Sequence, residues 1–280
     1  MSFRCPSVLG EKIKRARRRS PVCFALFLLT AAHAFATGRP ETIRVCADPN
    51  NMPFSDRQGQ GFENKLAELL TAKLGAKLEY TWWTQRKSFL ANSLEQGRCD
   101  LVMGIPSSMS SVATTRPYYR STYVFVSRKD RNLQVSSLND PRFAGWRVGV
   151  QVVGDNYAPP AAALARRGIT GNIVGFSLFG KYGEENPPRK IIDAVASGDI
   201  DVAVVWGPFA GYFAQREQAA LDVVAVSPPT FLAIPFTFDI SAAVRKGNDV
   251  LEQALNNAIE AESAAIERIL TDYGVPTIRP

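Results

Sequence analysis

What most limits the fold of this chain is an alternation of short apolar runs with amphipathic helical stretches, joined by short polar connections. Thr42-Ile43-Arg44-Val45-Cys46-Ala47 reads as a strand that stops at the turn-rich Asp48-Pro49-Asn50-Asn51-Met52-Pro53. From Gly61 the period changes: Phe62, Leu66, Leu69, Leu70 and Leu74 form one helical stripe, with Gly75 as the stop. Lys77 to Trp83 is the next strand, Phe89 to Glu95 a helix ending at Gly97, and Asp100-Leu101-Val102-Met103-Gly104 a third, buried strand. Strands separated by helices cannot pair as tight hairpins, so the alternation specifies a mostly parallel sheet flanked by helices.

The pattern then restarts. Tyr123 to Arg128 and Trp146 to Gln151 read as strands, and a helix follows near Ala161 to Arg167. Pro188 opens a helix through Val195 that stops at Gly198, before the buried strand Asp201 to Trp206. Phe238 to Val244 is a last strand, and one long helix carries Leu251, Leu255, Ile259, Ile266 and Leu270. No low-complexity linker separates the two halves, so any hinge between them is made of strands.

Charge and histidine count depend on the first 36 residues. Arg4, Lys12, Lys14, Arg15, Arg17, Arg18 and Arg19 precede an apolar run from Val22 to Ala32, followed by Ala32-His33-Ala34 and Ala34-Phe35-Ala36. This is the layout of a cleavable signal peptide over residues 1–36. The apolar run is well short of the ~20 residues of a membrane span, so no membrane insertion is expected after cleavage and the mature protein is expected in the periplasm. Of 33 Lys and Arg and 26 Asp and Glu in the chain, the leader holds seven and one, which leaves a nearly neutral mature protein. A basic surface for nucleic acid is unsupported. The single histidine, His33, leaves with the leader, as do Cys5 and Cys23. What remains excludes a Ser/His/Asp or Cys/His triad and any histidine-containing metal site. No residue is given a catalytic role, and no cofactor or metal is called for. Cys46 and Cys99 can pair in an oxidising compartment or stay as buried thiols, and both alternatives stand.

Several stretches taken in order resemble the family 3 extracellular solute-binding proteins, the periplasmic binding protein type II fold. They are Arg44-Val45-Cys46-Ala47-Asp48, Gly61-Phe62-Glu63, Gly97-Arg98-Cys99-Asp100-Leu101-Val102, Arg116-Pro117-Tyr118-Tyr119, Val148-Gly149-Val150, Gly198-Asp199-Ile200-Asp201 and Ala243-Val244-Arg245-Lys246-Gly247-Asn248. The resemblance implies two α/β lobes joined by two crossing strands, with ligand held in the cleft between them. Lobe 1 would comprise residues 37–124 plus 233–280 and lobe 2 residues 125–232. Glu79-Tyr80-Thr81-Trp82-Trp83 and Thr114-Thr115-Arg116-Pro117-Tyr118-Tyr119-Arg120 narrow it to the quinoprotein dehydrogenase-associated, J-type accessory subgroup of methanol dehydrogenase operons. A partner implied by that resemblance is a dehydrogenase that uses pyrroloquinoline quinone. The alternative is the substrate-binding receptor of an ABC transporter, delivering a small polar ligand to a permease. A third reading, an enzyme similar to cyclohexadienyl dehydratase, would have to rest on Asp48 or Glu63.

The family's amino-acid binders place an arginine in an S-x-T-x-x-R loop after the third strand. Here that loop, Pro106 to Ala113, contains none, and the second anchor position holds Trp206-Gly207-Pro208. Because buried charges must be paired, a zwitterionic amino acid is not the expected ligand. The expected cleft residues are Asp48, Asn51, Trp82, Gln85, Arg86, Ser107, Ser108, Asp155, Tyr157 and Trp206. Asp48, Ser107 and Trp206 rank first because open α/β sheets bind ligands at the carboxyl ends of their strands. Each also has a structural role open to it: Asp48 bonding loop amides, Trp206 packing between lobes, Arg86 solvated, and Ser107-Ser108 ending a strand. Trp82 and Trp83 alternate, so one should be core and its neighbour exposed. Arg116 to Arg120 is read as the entry to the crossing strands, and Phe176 to Tyr182 with Glu184-Glu185 as a loop or partner surface.

Overall fold

A computed structural model describes residues 40–86, 88–153, 156–178 and 186–279, with Asn156 and Tyr157 described for their backbone alone. The expected leader lies outside these residues. The first half runs β1 (Thr42–Ala47), α1 (Phe62–Lys73), β2 (Lys77–Trp82), α2 (Phe89–Asn92), β3 (Leu101–Pro106). The second continues with β4 (Tyr119–Arg128), β5 (Val148–Val153), α3 (Pro159–Arg166), β6 (Ile173–Ser177), α4 (Lys190–Ser197), β7 (Val202–Trp206), α5 (Gly207–Ala214) and β8 (Leu221–Ala225). The chain closes with β9 (Thr237–Val244), α6 (Asp249–Ala261) and α7 (Ser263–Asp272).

As the alternation requires, β1 pairs in parallel with both β2 and β3, and β5 pairs in parallel with both β6 and β7. The two parallel groups are joined through β4 and β9, which pair antiparallel with one another from Thr122–Thr237 to Tyr119–Ile240. Beyond that shared stretch β4 turns to β7 and β8, and β9 turns to β3. One sheet therefore runs β6-β5-β7-β4-β9-β3-β1-β2, and the connection between the lobes is a pair of strands. At its centre the Arg120 guanidinium donates two hydrogen bonds, both 2.7 Å, to the Asp239 carboxylate directly across the ladder.

The α1 stripe is buried as its spacing dictates: Phe62, Leu66 and Leu70 are inaccessible, and Leu69 is half-buried at the edge. Phe62 packs on Phe54 (5.0 Å between centroids), Tyr119 and Tyr273. A second cluster around Phe125, Phe143, Val148, Leu164 and Phe236 forms under the other half. Burying a side chain of this size is worth about 1.5–3 kcal/mol.

Some expected boundaries shift. The helix at Phe89 covers one turn only, because the Ser93 hydroxyl donates back to the Phe89 carbonyl and the chain leaves through turns to Gly97. The long terminal helix is broken at Glu262 into α6 and α7, although its apolar positions stay buried on both sides of the break. The expectation for Trp82 and Trp83 is corrected. Both are half-buried on opposite faces: Trp82 stacks on Tyr80 at 4.6 Å, while Trp83 lies under the Arg98 guanidinium, 4.9 Å from its centroid. The cysteine alternatives resolve to a Cys46–Cys99 disulfide, with 5.6 Å between α-carbons. Among the described residues no helix is long and apolar enough to cross a membrane.

Candidate functional site

The carboxyl ends of β1 and β7 and the middle of β3 (Val102 to Gly104) meet at a cavity of about 200 Å³, and strand ends are where other open α/β sheets bind ligands. Its two sides differ in chemistry. From the β1–β3 side come Asp48, Asn51, Glu63, Tyr80 and Gln85, while the described lining from the β5–β7 side is Val153, Leu178, Trp206 and Phe209. Phe54 and Phe209 meet edge to face at 4.8 Å, one from each side. No Arg, Lys or His lines the cavity among the described residues.

Asp48 follows β1 directly, and its buried carboxylate accepts the backbone N–H of Asn50 at 2.8 Å and of Gln85 at 2.5 Å. It thus ties the loop after β1 to the loop after β2 while facing the cavity. The Asn51 amide donates to the Gln85 side-chain oxygen at 2.9 Å, which fixes both amides on the wall. Trp206 ends β7, where its backbone N–H donates to the buried Gln151 side-chain oxygen. Its indole packs edge to face on Tyr123 (5.4 Å) and Phe238 (5.8 Å) of the crossing strands. Trp206 therefore both packs at the junction and lines the cavity.

Of the ten residues expected in the cleft, Asp48, Asn51, Gln85 and Trp206 line this cavity. Trp82 faces the Arg57 guanidinium outside it, Arg86 and Ser108 are exposed, and Ser107 hydrogen-bonds the Ser241 hydroxyl at 2.6 Å away from the wall. Asp155 and the Tyr157 side chain lie outside the described residues, as do positions 179–185 of the aromatic loop. Arg116, the next arginine in sequence after the arginine-free loop, turns its guanidinium outward to Glu260, while its backbone N–H donates to the Asn256 side-chain oxygen.

Sequence reasoning gave Glu63 no binding role. It sits in the first turn of α1, whose leading N–H groups are taken by the Pro53 and Phe54 carbonyls. This directs the side chain against Gly104 of β3. Gly104 has φ +75°, and a β-carbon there would lie 2.1 Å from Glu63 Oε1. The absent side chain makes the space that the carboxyl occupies. Glu63 Oε1 is enclosed and has no hydrogen-bond partner. Burial away from water pushes its pKa up to about 8, so the group is neutral at neutral pH. The neighbouring Tyr80, Tyr118 and Tyr119 hydroxyls are likewise pushed up by burial and stay protonated. The sequence signal was Gly61-Phe62-Glu63 at a helix start, where an acid ordinarily complements the helix dipole in solvent.

Residues 43–275 match the bacterial extracellular solute-binding proteins, family 3. The chain is 30% identical over 250 residues to protein MoxJ of Methylorubrum extorquens, covering 85% of this chain and 82% of that protein. Among solved structures, MxaJ from Methlophaga aminisulfidivorans MPT superposes with a TM-score of 0.75 at 28% identity, covering 85% of this chain and all of that one. The periplasmic binding protein XoxJ from Methylobacterium extorquens AM1 superposes with a TM-score of 0.70 at 36% identity and the same coverage.

Proposed function

Because the chain belongs to the bacterial extracellular solute-binding proteins of family 3, and within them to the MoxJ type, we propose that it is a non-catalytic periplasmic accessory protein of a quinoprotein dehydrogenase. It acts by docking to that enzyme or by holding a small ligand in the cleft between lobe 1 (37–124 plus 233–280) and lobe 2 (125–232). The observation that carries this reading is the chemistry of the cavity wall, which among the described residues presents two carboxyl groups and no guanidinium or ammonium.

An amino-acid receptor must pair the ligand's carboxylate with a buried cation, since an unpaired buried charge costs several kcal/mol. Asp48, the acid that follows β1 at the cavity, is already engaged by two backbone amides. The volume supports the same reading. About 200 Å³ is only slightly larger than an apolar cavity that holds benzene, and far below a cofactor of the quinone class.

Titration calorimetry of the mature protein against the common amino acids should give no saturable binding tighter than about 1 mM. Micromolar binding of any of them would restore the alternative, a receptor delivering a polar solute to an ABC permease.

A further inference from the structure

The cavity wall holds an acid with one unpartnered oxygen. Glu63 Oε1 is enclosed against Gly104 without a hydrogen-bond partner, while the half-buried side chain that carries it lines the cavity, where a ligand atom can approach the carboxyl group. A buried polar group without a partner is costly, and natural structures seldom keep one without a reason. Around it stand aromatic rings: Tyr80, Tyr119, Phe54, Trp206 and Phe209. A carboxyl group within aromatic walls is the chemistry that recognises an alkylammonium ion, whose N–H groups pair with the acid and whose charge faces the rings. Phosphate or carboxylate ligands are disfavoured by the same wall. We propose that the cleft binds a small alkylammonium cation bearing at least one N–H, with Glu63 as its counter-ion and the aromatic side chains as its cage.

This rests on the reading of the cleft as the ligand site, and it names the ligand class. Occupancy requires Glu63 to ionise. The uncharged acid gives up its proton to buffer, and the resulting carboxylate accepts N–H from the ammonium. The titratable groups facing Glu63 are the Tyr80, Tyr118 and Tyr119 hydroxyls, which stay protonated, and the cavity also holds Asp48. Below about pH 8 binding therefore releases a proton, and affinity rises with pH until Glu63 is already ionised in the free protein.

The test is calorimetry of the mature protein with n-butylammonium chloride, 1-butanol and sodium butyrate as probes of similar size. The ammonium should bind at least about tenfold tighter than the other two. Its heat should differ between phosphate and HEPES buffers at neutral pH in proportion to their ionisation enthalpies. Glu63→Gln should keep the parent melting temperature, lose the buffer dependence and weaken the ammonium about tenfold or more. Equal binding of all three probes, a heat independent of buffer in the parent protein, or no binding of n-butylammonium by about 10 mM would each overturn the proposal. The proton-release measurement needs no variant. Failure here leaves the dehydrogenase association, read by co-purification, unaffected.

Discussion

Gly211→Ala should lower the melting temperature of the mature protein by about 4–8 °C, a larger effect than an ordinary surface substitution. Gly211 lies in α5 against the turn after α7, and a β-carbon there would come within 1.8 Å of the Gly274 carbonyl oxygen. Both sides of the contact are backbone, so neither can yield by a rotamer change. Flanking contacts hold the two elements together: Tyr212 stacks on Tyr273 at 5.8 Å, the Arg216 guanidinium covers Tyr212, and the Tyr273 hydroxyl donates to the Gln60 carbonyl. Alanine is the better helix former by about 1 kcal/mol, which opposes the effect. The overpacking penalty, about 3 kcal/mol at the upper end of the usual range because backbone must move, outweighs that gain and decides the sign. Thermal unfolding followed by circular dichroism checks this. Ala214→Ser on the same helix should stay within about 0.5 kcal/mol of the parent, and a Gly211→Ala melt within ~2 °C of it would refute the contact. Because α5 carries Phe209 and begins just after Trp206, the same substitution should disturb the cavity wall.

Removing the Cys46–Cys99 bond with Cys46→Ala plus Cys99→Ala should cost about 4 kcal/mol. The bond closes a loop spanning 53 residues, and loop-closure entropy for that length gives this magnitude. Both cysteines are buried among Phe89, Leu94, Val102 and Val112, so their replacement also removes packing. Urea unfolding of parent and double variant measures the difference, and a midpoint unchanged by the substitution would show that the bond does not constrain the chain. Cys46 also lines the cavity, so the variant should lose ligand affinity along with stability.

The parallel order of β1, β2 and β3 was legible because β1 and β3 are largely buried apolar runs and α1, between β1 and β2, has a clear stripe. The segments that were not read, β6, β8 and α5, have physical reasons for being silent. Strands β6 and β8 lie at sheet margins and are half-exposed, with Val174, Val223 and Val224 at the surface, so their alternation is weak. The α5 sequence Gly-Pro-Phe-Ala-Gly-Tyr-Phe-Ala reads as breakers and apolar residues without a period. In the fold Pro208 fits the first turn, and Gly211 permits the backbone contact with Gly274.

The site was legible where it follows strand ends and silent where it depends on distant partners. Asp48 and Trp206 could be placed because they end β1 and β7. Ser107 sits just past the end of β3, yet its hydroxyl is drawn to Ser241 of β9, a pairing that depends on long-range register. Glu63 is a cavity residue only because Gly104, on another strand, leaves room for its carboxyl. Nor does local pattern distinguish a solvated first-turn acid from a buried one. The Arg120–Asp239 pair is another product of register, joining residues far apart in sequence at the crossing of β4 and β9.

The most direct measurement is affinity purification of the tagged mature protein from the periplasm of its native host, with and without the chain's gene in a parallel dehydrogenase assay. A quinoprotein dehydrogenase subunit should be the principal co-purifying protein, and deletion of the gene should lower that dehydrogenase's activity several-fold. Recovery of a permease and its ATPase instead, with dehydrogenase activity unchanged by the deletion, would contradict the account.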